Sequence, residues 1–204
     1  MIKLYGHPIS TCTRKVLCTL NETNTPFELV TLDFAKADHK HAAHLARQPF
    51  GKMPALDDDG FVLYESRAMS RYIDAKAGHK LTPSDAKLDA MMEQWISVEV
   101  ENFTPNAMKF VYHTVFQRAQ TDEVLAKAAE GLEAACTVLD TALAGKTYLV
   151  GDQFTIADIC YAPYFEYAIM NPQAKEIFTK HANVASWWGR VSERPAWRKT
   201  AGRA

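Results

Sequence analysis

The sequence has no apolar run approaching the roughly 20 residues that a helix needs to cross a bilayer, so no membrane partner is expected. Neither sign of charge dominates. Lysine and arginine number 23 against 24 aspartate and glutamate, a formal net charge of −1, which removes any global electrostatic case for nucleic acid. Cysteine is sparse. Cys12, Cys18, Cys136 and Cys160 form no C-x-x-C pair and no disulfide framework, and they read as reduced thiols of a cytoplasmic protein. No metal is expected either. The histidines are scattered apart from His39, His41 and His44 in "HKHAAH", where no liganding cysteine or carboxylate stands at the usual spacing. That cluster reads as a solvated helix face. There is no low-complexity tract and no internal repeat. "MIKLYG" enters a strand pattern at once, so no secretory leader is expected.

What is present is the composition of a globular protein. Of 204 residues, 48% are hydrophobic and 23% charged, enough chain for one large domain or two small ones. "IKLYG" is a short strand. Val16, Leu17 and Leu20 then set an apolar stripe on a helix that stops near Pro26. "FELVTLD" is a second strand, "DHKHAAHLARQ" a short helix, and "MPALDDDGFVLYES" two strands around the turn Asp57-Asp58-Asp59-Gly60. Met69, Tyr72 and Ile73 begin another amphipathic helix. The order β-α-β-α-β-β-α makes the first two strands parallel and adds an antiparallel hairpin. That is an α/β thioredoxin-like N-terminal domain, expected over 1–79.

Residues 80–86 read as a linker, and from 87 to 204 the period is that of helix alone. Leu88, Met91, Met92, Trp95 and Ile96 give one stripe. Leu125, Ala128, Leu132, Ala135 and Leu139 give another, and Ile156 to Tyr167 a third with Pro163 inside it. The second domain is therefore expected to be all-α. In "DQFTIADI", Thr155 and Asp158 form a capping box at a helix start, a structural role.

The remaining question is "PISTCTRK", where Ser10, Thr11, Cys12 and Thr13 stand at the opening of the first helix. Taken with "DFAKADHK", "PFGKMPAL", "LYESRA", "YLVGDQFTIADI" and "RPAW", this stretch resembles the cytosolic glutathione transferases, and most closely their serine-type phi class. The resemblance runs through nearly the whole chain, in order. It implies a detoxification enzyme, a cytoplasmic homodimer, that takes glutathione as co-substrate and joins it to small apolar electrophiles.

By the same resemblance, Ser10 donates a hydrogen bond to the sulfur of glutathione and holds it as thiolate. Met53 and Pro54 match the turn whose backbone pairs with the cysteinyl peptide. Glu65 and Ser66, at a helix start, suit the γ-glutamyl end, because backbone N–H groups there attract an anion. His39 and Lys40 match the pair that meets the glycine carboxylate. Lys52 stands where plant members carry glutamine, and donates as a point charge rather than as a directed amide. An electrophile site between the domains is expected from Ile9, Thr11 and Phe34 on one side and Phe110, His113, Thr114 and Phe116 on the other.

Two readings compete. Related classes use a cysteine near this helix start to form a mixed disulfide, and Cys12 would be its counterpart in a thiol transferase. It stands two residues past the aligned serine, about 200° around a helix from it. Tyr5 is a weaker rival, since other classes use a tyrosine at the end of the first strand. A non-catalytic carrier of glutathione or a hydrophobe is the third possibility, because fold does not fix function.

Overall fold

Ile2, Leu4 and Gly6 alternate inward along β1 (Ile2–Gly6), the pattern of a strand with one buried face. In the computed structural model, which describes residues 1–203, β1 pairs in parallel with β2 (Phe27–Thr31) and antiparallel with β3 (Ala55–Asp58). β4 (Phe61–Tyr64) completes the sheet in the order β2-β1-β3-β4. Asp59 and Gly60, at φ of 52° and 95°, make the two-residue turn between β3 and β4, and the Gly60 N–H donates to Asp57 Oδ1 at 2.8 Å. The thioredoxin-like layout expected from the sequence is the one observed.

Two helices cover one face of this sheet, α1 (Thr11–Thr23) and α3 (Ser66–Lys76). Leu4, Val16, Leu17, Leu20, Leu56, Met69 and Ile73 form their shared core. Each such side chain taken from water contributes about 1.5–3 kcal/mol. Tyr5 points the other way, where the Arg47 guanidinium lies 4.0 Å from its ring centroid. Asp58 is buried at the end of β3 and accepts from Tyr72 Oη at 2.6 Å and from Lys76 Nζ. The Lys76 ammonium, with help from Tyr72, holds its carboxyl below the usual range.

"DHKHAAHLARQ" departs from a single helix. It splits into a 3-10 turn (Asp38–Lys40) and α2 (Ala42–Leu45). His44 also departs from a solvated face. It is buried, with Nε2 2.7 Å from the Lys52 carbonyl oxygen.

The described chain forms two compact units, Pro83–Arg194 and a unit in which Met1–Thr82 is joined by the segment from Pro195. The expected boundary at 87 carried the helical domain to the last residue. Instead α10 (Pro195–Ala201) packs on α1, and Asn21 Nδ2 donates to Thr200 Oγ1 at 3.0 Å.

The second unit contains α4 (Ala86–Val98), a π turn (Glu99–Phe103), α5 (Thr104–Thr114), α6 (Asp122–Leu143), α7 (Ile156–Ala168), α8 (Pro172–Lys180) and α9 (Ala182–Ser192). Met92, Trp95 and Ile96 face its core, whereas Leu88 is exposed. In α7 every residue but Glu166 is buried, so this helix is packed on all sides rather than amphipathic.

Asp158 joins three parts of this unit. Its Oδ2 accepts from Thr155 N–H at 2.9 Å and from Thr155 Oγ1 at 3.1 Å. Its Oδ1 accepts from Leu149 N–H at 3.1 Å and from Trp187 Nε1 at 2.8 Å. The expected capping box is present, and its carboxylate also ties the 147–153 loop and α9 to α7. Burial pushes the Asp158 carboxyl up against the downward pull of these four donors.

Candidate active site

α1 opens at a serine because a helix start leaves backbone N–H groups without partners. Ser10 is the N-cap, in extended conformation, and its Oγ accepts from Thr13 N–H at 3.3 Å. A hydroxyl has one proton to give and two lone pairs. The Ser10 Oγ donates to none of the described residues, so the cap uses an acceptor site and spares the donor. Arg14, one turn in, donates from Nε to Pro8 O at 2.8 Å and fixes the loop before Ser10. Thr11 is buried as the first helical residue, and Cys12 is half-buried beside it.

Gly6 lets this helix start approach the sheet. A Cβ there would lie 2.6 Å from Thr13 Oγ1 and 3.3 Å from Pro54 Cβ. The end of β1, the first turn of α1 and Pro54 therefore close on a position that only glycine fills. Sequence reasoning passed over Gly6, although a glycine ending an inward-facing strand is a signal of close approach. The Met53–Pro54 peptide is cis.

The turn before Pro54 is held by side chains on both its backbone groups. Gln48 Oε1 accepts from Lys52 N–H at 3.1 Å, and the Lys52 carbonyl meets His44. Gly51, at φ of 58°, takes the left-handed conformation that favours glycine, and a Cβ on it would lie 2.8 Å from Lys40 Nζ. Lys40 thus folds across the turn, and its Nζ donates to Phe50 O at 3.3 Å. His39 lies close by in sequence and space. Its ring meets Phe34 edge-on at 5.6 Å, and Phe34 meets His7 at 5.3 Å. His39 Nδ1 is buried without a partner. Partial burial, then the Lys40 charge, lowers its pKa and favours the neutral ring.

Glu65 precedes α3 at φ of 73° and ψ of 108°, a conformation that non-glycine residues rarely take and that costs about 1–3 kcal/mol. It makes no side-chain cap, so Ser66 is the first helical residue rather than the cap, and it is buried.

The residues expected around an electrophile divide. Ile9 is half-buried and Phe34 exposed in the first unit. In the second, Phe110 is fully buried and belongs to the core, which removes it from any ligand wall. His113 Nδ1 accepts from Gln120 N–H at 3.2 Å and Thr114 Oγ1 from Asn171 Nδ2 at 3.1 Å, so both tether the end of α5. Phe116 packs near the rings of Tyr112 and Tyr167. Among the described residues, no group of three or more His, Cys, Asp or Glu side chains is placed to hold a metal. Among the same residues, no helix is long and apolar enough to cross a membrane.

Residues 1–75 match the family model described as Glutathione S-transferase, N-terminal domain, and residues 103–195 its C-terminal counterpart. The chain is 37% identical over 206 residues to glutathione S-transferase 3 of Zea mays, spanning 98% of this chain and 92% of that one. The chain belongs to the glutathione S-transferase family. Its fold matches glutathione transferase F7 of Populus trichocarpa with a TM-score of 0.94 at 33% identity, over 100% of this chain and 99% of that one. It also matches glutathione S-transferase I from mais, solved in complex with an atrazine glutathione conjugate. There the TM-score is 0.90 at 30% identity, over 99% of this chain and 97% of that one. These plant relatives are of the phi class that the sequence resembles.

Proposed function

We propose that this glutathione transferase binds glutathione on its first unit and activates the thiol through Ser10. The spare donor of the Ser10 hydroxyl carries the reading. That proton stands at the positive end of α1, while the cap occupies only an acceptor site of the same oxygen. A free thiol has a pKa near 8.5 and is mostly protonated at neutral pH. Each unit of lowering corresponds to about 1.4 kcal/mol. A charge-assisted hydrogen bond together with the helix end supplies about one to two such units. The thiolate then attacks the electrophilic carbon and the leaving group departs with its electron pair, or the thiolate adds to an activated double bond.

The rest of the tripeptide is assigned by charge. Lys40, Lys52 and the neutral His39 ring donate to the glycine carboxylate. The Met53 backbone pairs with the cysteinyl peptide, with Pro54 holding the turn. The N-terminus of α3 and Ser66 receive the γ-glutamyl carboxylate, and Glu65 its ammonium. Ile9 and Phe34 offer an apolar wall to the second substrate. We further assign the protein to the cytoplasm as a detoxifying homodimer.

Glutathione-dependent turnover of a chloronitroarene, measured beside glutathione binding, tests this. Turnover is expected. Binding without turnover on a broad electrophile panel would make the protein a carrier. Disulfide reduction that is lost in Cys12→Ala would move the chemistry to Cys12.

A further inference from the structure

The turn that delivers Ser10 to the helix start is built on His7. The His7 carbonyl accepts from Ser10 N–H at 2.9 Å, which closes a β-turn over His7, Pro8, Ile9 and Ser10. Pro8 stands at its second position, where a fixed φ suits such a turn. Proline has no N–H, so the only other N–H in the turn is that of Ile9. It donates to the His7 ring at Nδ1, 3.2 Å away. His7 thus receives both N–H groups that the turn offers, one on its carbonyl and one on its side chain.

The first position of a β-turn usually carries aspartate, asparagine or serine, whose short side-chain oxygen can reach the N–H two residues on. His7 performs that role with a ring nitrogen. Nδ1 is the acceptor, so the neutral ring keeps its proton on Nε2. The ring also packs on Phe34, 5.3 Å away between centroids, and Phe34 meets His39. Acceptor and ring contact are therefore two roles that substitution can separate.

Ser10 takes its setting from this turn. At φ of −70° and ψ of 126°, its Oγ meets Thr13 N–H while its carbonyl accepts from Arg14 N–H at 2.9 Å. An Ile9 N–H without its acceptor would leave the Pro8–Ile9 peptide free to rotate just ahead of the hydroxyl. A shift of about 1 Å in a group at the reacting centre can cost about 10²-fold in rate. We infer that His7 is a positioning residue for thiol activation: its Nδ1 holds Ile9 N–H so that the Ser10 hydroxyl proton points to the glutathione sulfur. The inference rests on the assignment of the thiol to Ser10. Losing the acceptor acts at the sulfur and not at the ends of the tripeptide, so it lowers turnover rather than affinity.

Three variants separate the two roles. His7→Asn keeps an acceptor without the ring, His7→Phe keeps a ring without the acceptor, and His7→Ala keeps neither. Turnover of a chloronitroarene and ultraviolet titration of the bound glutathione thiolate are measured in each, beside Ser10→Ala. In His7→Phe and His7→Ala, turnover at neutral pH is expected to fall about three- to tenfold, the weight of one ordinary hydrogen bond. The bound thiol should titrate at higher pH in both. In His7→Phe the Michaelis constant for glutathione should stay within about twofold of wild type. His7→Asn should recover most of the loss. Wild-type turnover and titration in His7→Phe would overturn the inference, and so would a His7→Asn as impaired as His7→Phe. Either result beside an impaired Ser10→Ala removes the role of His7 alone and leaves Ser10 in place. A Ser10→Ala titration that overlays the wild type removes both. If His7→Ala or His7→Phe does not fold, the other is compared with His7→Asn and decides the matter.

Discussion

His44 Nε2 sits 2.7 Å from the carbonyl oxygen of Lys52, across the turn that leads into Pro54. With Gln48 on the Lys52 N–H, it holds both backbone groups of a residue assigned to the glycine carboxylate. His44→Ala should lower stability by about 1–3 kcal/mol, the cost of a lost partner in a part-buried site. In the folded fraction, the Michaelis constant for glutathione should rise several-fold with turnover little changed, since the loosened turn touches glutathione far from its sulfur. Thermal melts and steady-state kinetics read the two effects. An unchanged constant in a folded variant would limit His44 to stability.

His39 gives a prediction in pH. Burial and the Lys40 charge disfavour its charged form, so in the free protein it should titrate below the ordinary histidine value of 6.5. A carboxylate placed against it favours the charged form and should raise that pKa. Binding then takes up protons, and affinity should increase as pH falls through the bound-state pKa. Titrating the His39 ring by NMR with and without S-methylglutathione, which has no thiol to confuse the count, checks this. A pKa that stays still or drops on binding would remove His39 from the glycine-carboxylate site.

What the sequence made legible follows the range of the interactions. The strand alternation and the Asp-Gly turn are local, and they placed the sheet and its hairpin. The Thr155–Asp158 box spans three residues and was equally plain. Helix α10 was not. Its anchor, Asn21 to Thr200, spans 179 positions, and nothing in "RPAWRKTA" names its partner. His44 was missed because a histidine in a polar run looks solvated, and only the folded turn supplies the carbonyl that buries it. Glu65 hides its backbone for a related reason. Its positive φ would be expected at glycine or asparagine, so residue type gave no warning. Lys40 and Lys52 came from resemblance alone, and their proximity through Gly51 is a property of the fold.

Asp158 should matter more than a cap does. Asp158→Ala leaves Leu149 N–H, Thr155 N–H and Trp187 Nε1 buried without their acceptor. Breaking such a buried group costs about 3–5 kcal/mol, against about 1 kcal/mol for an N-cap alone. Thr155→Val, which removes the capping hydroxyl and leaves the Asp158 carboxylate in place, supplies that smaller reference. Denaturant unfolding of both variants should show the difference, with glutathione affinity of the folded fraction unchanged. Equal losses would reduce Asp158 to a cap.

Ser10 decides the chemistry. The Ser10→Ala variant loses an N-cap, worth about 1 kcal/mol of stability, and the hydroxyl proton of that cap. Glutathione binding should stay nearly intact, because most of the tripeptide is held elsewhere. The pKa of the bound thiol should rise, and turnover at neutral pH should fall roughly ten- to a thousand-fold. Raising the pH should restore part of that loss, since more thiolate then forms without help. Ser10→Thr, which keeps a hydroxyl, should retain more activity than Ser10→Ala if the donor matters. Cys12→Ala should change conjugation little, as its side chain leaves the helix about 200° from Ser10. Ultraviolet absorbance of the bound thiolate, titrated in each variant, separates these outcomes. A Ser10→Ala titration that overlays the wild type would leave Ser10 a cap and nothing more, and a conjugation rate lost only in Cys12→Ala would hand the thiol to Cys12.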